Sequence, residues 1–205
     1  MMARWGQCDY RQLQRLQQEL QRFQTAELDA FCRKASAALA ARLLTRVIKR
    51  TPVGVAPNLG ARTAKVTGRS GKKYKMLTRE GEIYENYWAG YMGGTLRRGW
   101  TAKTEQEAQS GGGQDPVAYA ASLPIAQNGG TYTIEIVNPV SYASYVEFGH
   151  RQQPGRYVPA LGKQLKVAWV EGRFMLTMSE QEIKALAPGL LQQMLEQALR
   201  EVFRS

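Results

Sequence analysis

The chain is poor in the residues that metal-dependent and nucleophilic enzymes need. Its 205 residues include a single histidine, His150, and only two cysteines, Cys8 and Cys32. Zinc sites take closely spaced Cys and His ligands, which this content excludes, and two distant cysteines are expected to be reduced thiols. The chain also has no G-x-S-x-G nucleophile elbow and no acidic run with calcium-loop spacing. We therefore predict no metal site, no cofactor and no catalytic activity.

Long apolar runs are missing as well. No stretch approaches the roughly 18 uncharged apolar residues of a membrane-spanning helix, and the N-terminal residues lack the apolar core of a signal peptide. We expect neither membrane association nor secretion. The hydrophobic fraction of 43% is nevertheless enough for a packed core. The length favours one domain with extensions or two small domains, and we predict a single domain over residues 1–205.

The net charge of +11 is spread unevenly along the chain. The basic excess lies before Lys103, whereas residues 101–150 carry five acidic side chains and one basic one. Such a distribution favours a polyanion or an acidic protein as partner. A solvated, solubilising face would have the same composition, and both interpretations stay open.

Residues 53–94 form an insertion that is rich in glycine, basic in its first half and aromatic in its second. The basic side chains, which we consider candidates for contact with DNA or a partner, are Arg62, Lys65, Arg69, Lys72, Lys73 and Lys75. A phosphate-binding loop is excluded because Val66 and Lys73 occupy the glycine and Ser/Thr positions of that motif. Basic residues followed by aromatics are typical of single-strand nucleic-acid surfaces, but here the two are not interleaved. We predict a loop that is mobile in the free subunit and ordered against neighbouring subunits.

The periodicity predicts an α+β fold. Helices are expected at about 26–49 and 189–203, covering a small, mostly antiparallel sheet. A strand is expected at Thr131–Val137, where β-branched and aromatic residues follow an alternating pattern. A second strand is expected at Thr95–Lys103, opened by Leu96-Arg97-Arg98 and anchored by Trp100. The turn Asn128-Gly129-Gly130 either closes a hairpin with residues 121–127 or returns the chain to the strand around Trp100.

Helix ends are predicted from local signals. Pro52 stops the first long helix, because a residue before proline is pushed out of the α region. Ser179 with Glu182 has the spacing of a capping box, and Pro188 suits the first turn of the final helix. A helical region from residue 9 to 50 is also expected to carry a narrow apolar stripe. The stripe, which packs on the domain's own sheet or on a coiled-coil partner, consists of Leu13, Leu16, Leu20 and Phe23.

Three motifs stand out in the chain. The first is the run Asn138 to His150, NPVSYASYVEFGH; the second, which precedes it in the chain, is Leu96-Arg97-Arg98-Gly99-Trp100. The third is Gly172 to Leu176 with Ser179 and Glu182. Together they resemble the small tail-component proteins of long-tailed bacteriophages, which are neck or tail-completion proteins. In shorter relatives the T-P-V of Thr51 to Val53 runs straight into the second motif, so the insertion is a departure from the pattern.

The resemblance implies a virion structural protein of the head–tail junction, without enzymatic activity, that assembles in the host cytoplasm. It implies a ring, by analogy a hexamer, that completes the tail and contacts a head-closure protein and a tail terminator, with phage DNA passing through the channel. A prophage origin would fit equally well. The alternative function is a basic nucleic-acid-binding module without catalysis. The implied assembly residues are Leu96, Arg97, Arg98, Trp100, Tyr142, Tyr145, Glu147, Phe148, Gly149 and His150.

We expect the turn Glu147 to Arg151 to be structural. Phe148 is predicted to anchor it in the core, and Gly149 to need a backbone conformation that other residues avoid. Glu147 is expected to reach Arg97 or Arg98 in a bidentate ion pair, and His150 to be a hydrogen-bonded residue at a strand end. The rival hypothesis makes Glu147 and His150 an acid–base pair.

Overall fold

The structure is a computed structural model that describes residues 17–18, 21 and 27–202. The chain divides into two compact units. Unit 1 is made of the described parts of Met1–Arg46, Asp115–Ile136 and Ser179–Ser205, and unit 2 of Val47–Gln114 and Val137–Met178. None of the helices among the described residues is long and apolar enough to cross a membrane. The four residues of the predicted stripe, Leu13, Leu16, Leu20 and Phe23, lie outside the described residues.

Unit 1 contains most of the two long helices, α1 (Leu28–Arg50) and α7 (Met175–Val202). Between them in sequence come α5 (Pro116–Ser122) and a hairpin of β3 (Ile125–Asn128) and β4 (Thr131–Ile134). Small side chains dominate its core, which lets backbones approach closely. The buried residues are Ala35, Ala40, Ala41, Leu44, Tyr119, Ala120, Ser179 and Ile183.

The hairpin of unit 1 confirms one of the two predicted roles for the Asn-Gly-Gly turn. Asn128 pairs with Thr131, and Gly129 and Gly130 between them have φ of 53° and 85°. Two consecutive positive φ angles are typical of a type I′ turn, whose twist matches that of the strands. Strand β4 ends at Ile134, three residues before the predicted end.

A polar cluster holds this hairpin against α1. The Tyr132 hydroxyl donates to Asp29 at 2.7 Å, Arg33 Nε donates to the other Asp29 oxygen at 2.8 Å, and an Arg33 guanidinium nitrogen donates to Gln127 at 3.1 Å. The Arg33 and Tyr132 hydrogen bonds lower the pKa of Asp29. The same Asp29 contact raises the pKa of Tyr132.

The elements that lie wholly within unit 2 start with β1 (Thr63–Thr67) and β2 (Lys73–Leu77), followed by helices α2 (Arg79–Tyr87), α3 (Thr95–Gly99) and α4 (Glu105–Gln109). Helix α6 (Ala143–Phe148) leads into β5 (Gly149–Arg151), which pairs with β8 (Trp169–Glu171). Between β5 and β8 in the sequence come β6 (Tyr157–Val158), a 3₁₀ turn (Pro159–Leu161) and β7 (Lys163–Gln164), and β6 pairs with β7. The buried core residues are Val47, Thr51, Leu96, Trp100, Thr101, Ala102, Ala108, Val140, Glu147 and Met175.

The α+β class is confirmed, with a long helix towards each end of the chain and antiparallel strands between. The strands form four two-stranded sheets within the described residues, whereas the prediction was one small sheet. The predicted strand Thr95–Lys103 is wrong, because the chain enters helix α3 after Gly94, whose φ is 77°. Leu96 and Trp100 are both buried, and a spacing of four places two side chains on one helix face.

The C-terminal helix starts at Met175 rather than near residue 189. Pro188 therefore lies inside the helix, where proline removes one hydrogen bond and costs about 3 kcal/mol. The predicted capping box is wrong, because Ser179 is already four residues into the helix and fully buried. Glu182 forms an ion pair with Arg46 of α1 instead.

Candidate assembly site

Glu147 is buried and caps the N-terminus of α7. Its two carboxylate oxygens accept hydrogen bonds from the backbone N–H groups of Leu176 at 3.0 Å and Thr177 at 2.9 Å, and from the Thr177 hydroxyl at 2.8 Å. The first N–H groups of a helix have no partner within the helix, and a negative charge there is stabilised by the helix dipole. Glu147 therefore joins the run 138–150 to the start of the longest described helix.

Two glycines let the chain cross itself next to this cap. Gly149 has a φ of 84°, and a Cβ there would lie 2.4 Å from the Val170 carbonyl oxygen. At Gly172 a Cβ would lie 2.3 Å from the Glu147 carbonyl oxygen. The prediction that Gly149 needs a conformation unfavourable to other residues is confirmed. The crossing is closed by hydrogen bonds from Arg173 N to Val146 O at 2.8 Å and from Phe174 N to Glu147 O at 3.0 Å.

Four aromatic side chains surround this crossing and face solvent. They are Tyr145, Phe148, Trp169 and Phe174, with exposed fractions of 57%, 60%, 51% and 44%; we call them the aromatic patch. The prediction that Phe148 anchors the turn in the core is therefore wrong. On α6 adjacent residues point about 100° apart, and the buried Glu147 takes the inward direction. Exposed apolar patches with large aromatic side chains are typical of protein interaction sites.

Phe174 has an unusual backbone. Its φ is 48°, and it is the single non-glycine residue with positive φ among the described residues. A large side chain in this region costs about 1–2 kcal/mol relative to ordinary backbone. Strain of this kind persists where the surroundings fix it, and it clusters at functional sites. Here it presents an exposed ring beside the crossing.

His150 lies on β5, where its backbone pairs with Val170. Its ring contacts Tyr145 edge-on, with 5.8 Å between the ring centroids. Its buried Nδ1 has no hydrogen-bond partner within the described residues, so the prediction of a hydrogen-bonded side chain fails at this atom. The Glu147 carboxylate accepts its hydrogen bonds from Leu176 and Thr177 of α7, and this arrangement does not support an acid–base pair of Glu147 with His150.

The second motif is built around Thr51, which is fully buried. The Thr51 carbonyl accepts two bonds from Arg97, at 3.0 and 2.7 Å, and the Thr51 hydroxyl accepts from Trp100 Nε1 at 2.8 Å. Arg98 donates from Nε to the Ala108 carbonyl at 2.8 Å. The predicted ion pair from Glu147 to Arg97 or Arg98 is therefore wrong: both arginines bind backbone carbonyls. The motif stabilises unit 2 from within.

Asn138 joins the first two motifs. Its Nδ2 donates to the Leu96 carbonyl at 2.9 Å, and its Oδ1 accepts from Val140 N at 3.2 Å. A Cβ at Gly99 would lie 2.3 Å from Asn138 Oδ1, so glycine is required at this contact. Tyr142 lies further along the same segment and is partly exposed. Partial burial raises the pKa of Tyr142, and nearby Tyr91 and Glu105 add to the effect.

The insertion 53–94 has more structure than the predicted loop. Its aromatic half is held by Trp88, whose Nε1 donates to the Ala160 carbonyl at 2.7 Å, and by Arg79, which donates to the Tyr157 hydroxyl at 3.1 Å. Its basic half is the β1–β2 hairpin, whose strand residues are exposed except for the half-buried Val66. Whether the segment is mobile in the free subunit stays a prediction.

The six candidate cations of the insertion fall into two groups. Arg62 stacks over the ring of Tyr84, with its guanidinium carbon 3.2 Å from the ring centroid, which is a cation–π contact. The other five are exposed on the hairpin and its turn: Lys65, Arg69, Lys72, Lys73 and Lys75. No group of three or more His, Cys, Asp or Glu that could hold a metal occurs among the described residues.

Sequence reasoning missed Trp169, Gly172 and Phe174 as partners of the turn. Gly172 and Phe174 belong to the third motif. A glycine followed two residues later by a phenylalanine was the one signal in the sequence that could have indicated a close contact with the turn. Nothing in the sequence around Trp169 indicated that its ring would lie over Gly149, where a Cβ would be 3.0 Å from Trp169 Cζ2.

Comparison with protein families gives one match. The family is described as "Bacteriophage HK97-gp10, putative tail-component", and its model matches residues 14–149, more than half of the 205-residue chain. The chain belongs to this family of phage tail components, which indicates a structural role in the virion. No curated protein and no solved structure was found to match the chain. The match ends at Gly149, before the third motif. The resemblance of the third motif to this family therefore stays a prediction.

Proposed function

We propose that this chain is the subunit of a ring at the head–tail junction, where it completes the tail and joins it to the head connector. By the resemblance described above, the ring is a hexamer that contacts a head-closure protein on one side and a tail terminator on the other. The chain acts through its contacts and carries out no catalysis. Subunits are made in the host cytoplasm and become part of the virion.

The aromatic patch is the observation that carries this proposal. Tyr145, Phe148, Trp169 and Phe174 are exposed although their backbone is locked by the Gly149–Gly172 crossing and by the Glu147 cap. Aromatic anchors held rigidly lose little conformational entropy on binding, and they dominate the energy of protein interfaces. The strained backbone of Phe174 supports the same role.

A ring follows if the patch meets a different surface of the next subunit. Contacts of this head-to-tail kind generate a closed ring when the rotation between subunits closes. Free subunits can remain monomeric, because ring formation waits for the connector or the tail to supply the second surface. The patch would then stay exposed in the purified chain, as it is in the structure.

Complementation of a phage that lacks this gene tests the proposal, with electron microscopy of the particles. The variant is Phe148→Ala, and the matched control is Leu186→Ala, which truncates an exposed apolar side chain (44% exposed) on α7 outside the patch. We expect Phe148→Ala to melt like the wild type but to leave unjoined heads and tails. Leu186→Ala should complement fully. Normal joining without the protein, or full complementation by Phe148→Ala combined with Trp169→Ala, would refute the proposal.

A further inference from the structure

The β1–β2 hairpin has one face made only of hydrogen-bond donors and one aliphatic residue. Residues that pair directly across an antiparallel ribbon share a face, and Lys65 pairs with Lys75, Thr67 with Lys73, and Thr63 with Leu77. This face, which we call the lysine face, is exposed at every one of these positions. The opposite face carries Ala64, Val66, Tyr74 and Met76.

The lysine face is electrostatically unfavourable in the free chain. Like charges directly opposite each other on a ribbon destabilise it, and Lys65 and Lys75 are such a pair. Residues 62–75 contain no acidic residue, and no ion pair to Lys65, Lys73 or Lys75 occurs within the described residues. The turn adds Arg69 and Lys72, and it is fixed by Gly68 N donating to Lys72 O at 2.9 Å. A polyanion would neutralise all five charges.

We propose that the lysine face binds the phosphate backbone of double-stranded DNA. Ammonium groups and Thr hydroxyls are among the donors that contact phosphates, and the face has none of the amides and carboxylates that read adenine and cytosine edges. A single strand would also need aromatic rings beside the cations, but Tyr74 lies on the opposite face. Protein interfaces are depleted in lysine and enriched in aromatics, so an acidic protein fits this face less well.

This inference rests on the proposed function in one respect, since it names DNA as a partner of the proposed ring. The contact is independent of base sequence, as is required of a surface past which a whole genome moves. Its test uses the isolated chain, so a failure of DNA binding leaves head–tail joining unaffected. Conversely, a failure of head–tail joining would not remove a measured DNA contact.

The experiment measures binding of a short fluorescent duplex by anisotropy over a series of salt concentrations. The test variant is Lys65→Gln/Lys73→Gln/Lys75→Gln. The control, Lys34→Gln/Lys166→Gln/Lys184→Gln, changes three exposed lysines elsewhere and lowers the net charge by the same amount. Each lysine that contacts a phosphate contributes about 0.9 to the slope of log affinity against log salt. We expect the slope to fall by about 2.7 in the test variant and by much less in the control.

Loss of the hairpin fold cannot explain that result if the test variant melts at or above the wild-type temperature, as we expect once the lysine repulsion is removed. Equal weakening of both triple variants would overturn the inference, as would absence of binding by the wild type at low salt. Tighter binding of a single strand than of the duplex would overturn it as well. Competition by polyglutamate as strong as by DNA of equal charge would assign the face to an acidic protein instead.

Discussion

Replacing Glu147 by alanine should be among the most destabilising changes in unit 2. The carboxylate is buried and accepts three hydrogen bonds from Leu176 and Thr177. A hydrogen bond to a charged group contributes about 1.5–3 kcal/mol, and such contributions are not additive within one cluster. Two helix N–H groups and a hydroxyl would lose their acceptor, so we expect a loss of about 3–5 kcal/mol in the free energy of unfolding. For a protein of this size each kcal/mol lowers Tm by about 2–4 °C, which gives about 6–20 °C.

Thermal melts followed by circular dichroism measure this loss, and amide hydrogen exchange locates it. The amides of Leu176 and Thr177 should exchange faster in Glu147→Ala, because their acceptor is gone. Glu147→Gln keeps the size of the side chain and one carbonyl acceptor, so its loss should be about half as large. Glu180→Ala is the matched control, since Glu180 is exposed on the same helix. If Glu147→Ala melts within 2 °C of the Glu180→Ala control, with about equal exchange at both amides, Glu147 does not cap α7.

Three further predictions test the fold around the two motifs and the hairpin of unit 1. Gly149→Ala should lower the free energy of unfolding by more than about 2 kcal/mol, because alanine disfavours a φ of 84° and its Cβ would clash with Val170 O; an unchanged urea midpoint would contradict this. Thr51→Val removes the acceptor of Trp100 Nε1 and should cost about 1–3 kcal/mol, whereas a loss of less than about 0.5 kcal/mol would mean that the indole N–H has another partner. Asp29→Asn tests the sign of a pKa shift: the folded-state pKa of Asp29 lies below its ordinary value of 3.8, so its stabilising contribution is present above that value and disappears as the pH falls through the folded-state pKa. The difference in Tm between wild type and Asp29→Asn should therefore vanish in strong acid, and a difference that grows as the pH falls would show the opposite shift.

The sequence alone determined features that depend on local chemistry. Alanine-rich helical spacing and the stop at Pro52 predicted α1 at 26–49, and the structure has it at Leu28–Arg50. Asn128-Gly129-Gly130 was predicted to be a turn because glycine and asparagine accept the positive φ angles of a tight turn, and a hairpin was one of its two predicted roles. Gly149 was predicted to need a special conformation for the same reason. For the helix and the turn, the residues that decide the outcome are neighbours in the chain, whereas the close approach to Val170 that Gly149 permits depends on a distant segment.

Tertiary structure decided the features whose partners are distant in the chain. The start of α7 was misplaced because Ser179 and Glu182 match a local capping pattern, whereas the actual cap is Glu147, 28 residues before Met175. Phe148 was placed inside by its hydrophobicity, but Glu147 takes the inward direction on α6, which turns Phe148 towards solvent. The apolar residues Leu96 and Trp100 are compatible with either a strand or a helix. The helix is stabilised by two residues that are distant in the chain: Thr51 accepts a hydrogen bond from Trp100, and Asn138 donates one to the Leu96 carbonyl. The stabilisation from a buried carboxylate with three hydrogen-bond donors is larger than that from burying one aromatic ring. The sequence does not show which donors the fold will bring to the carboxylate.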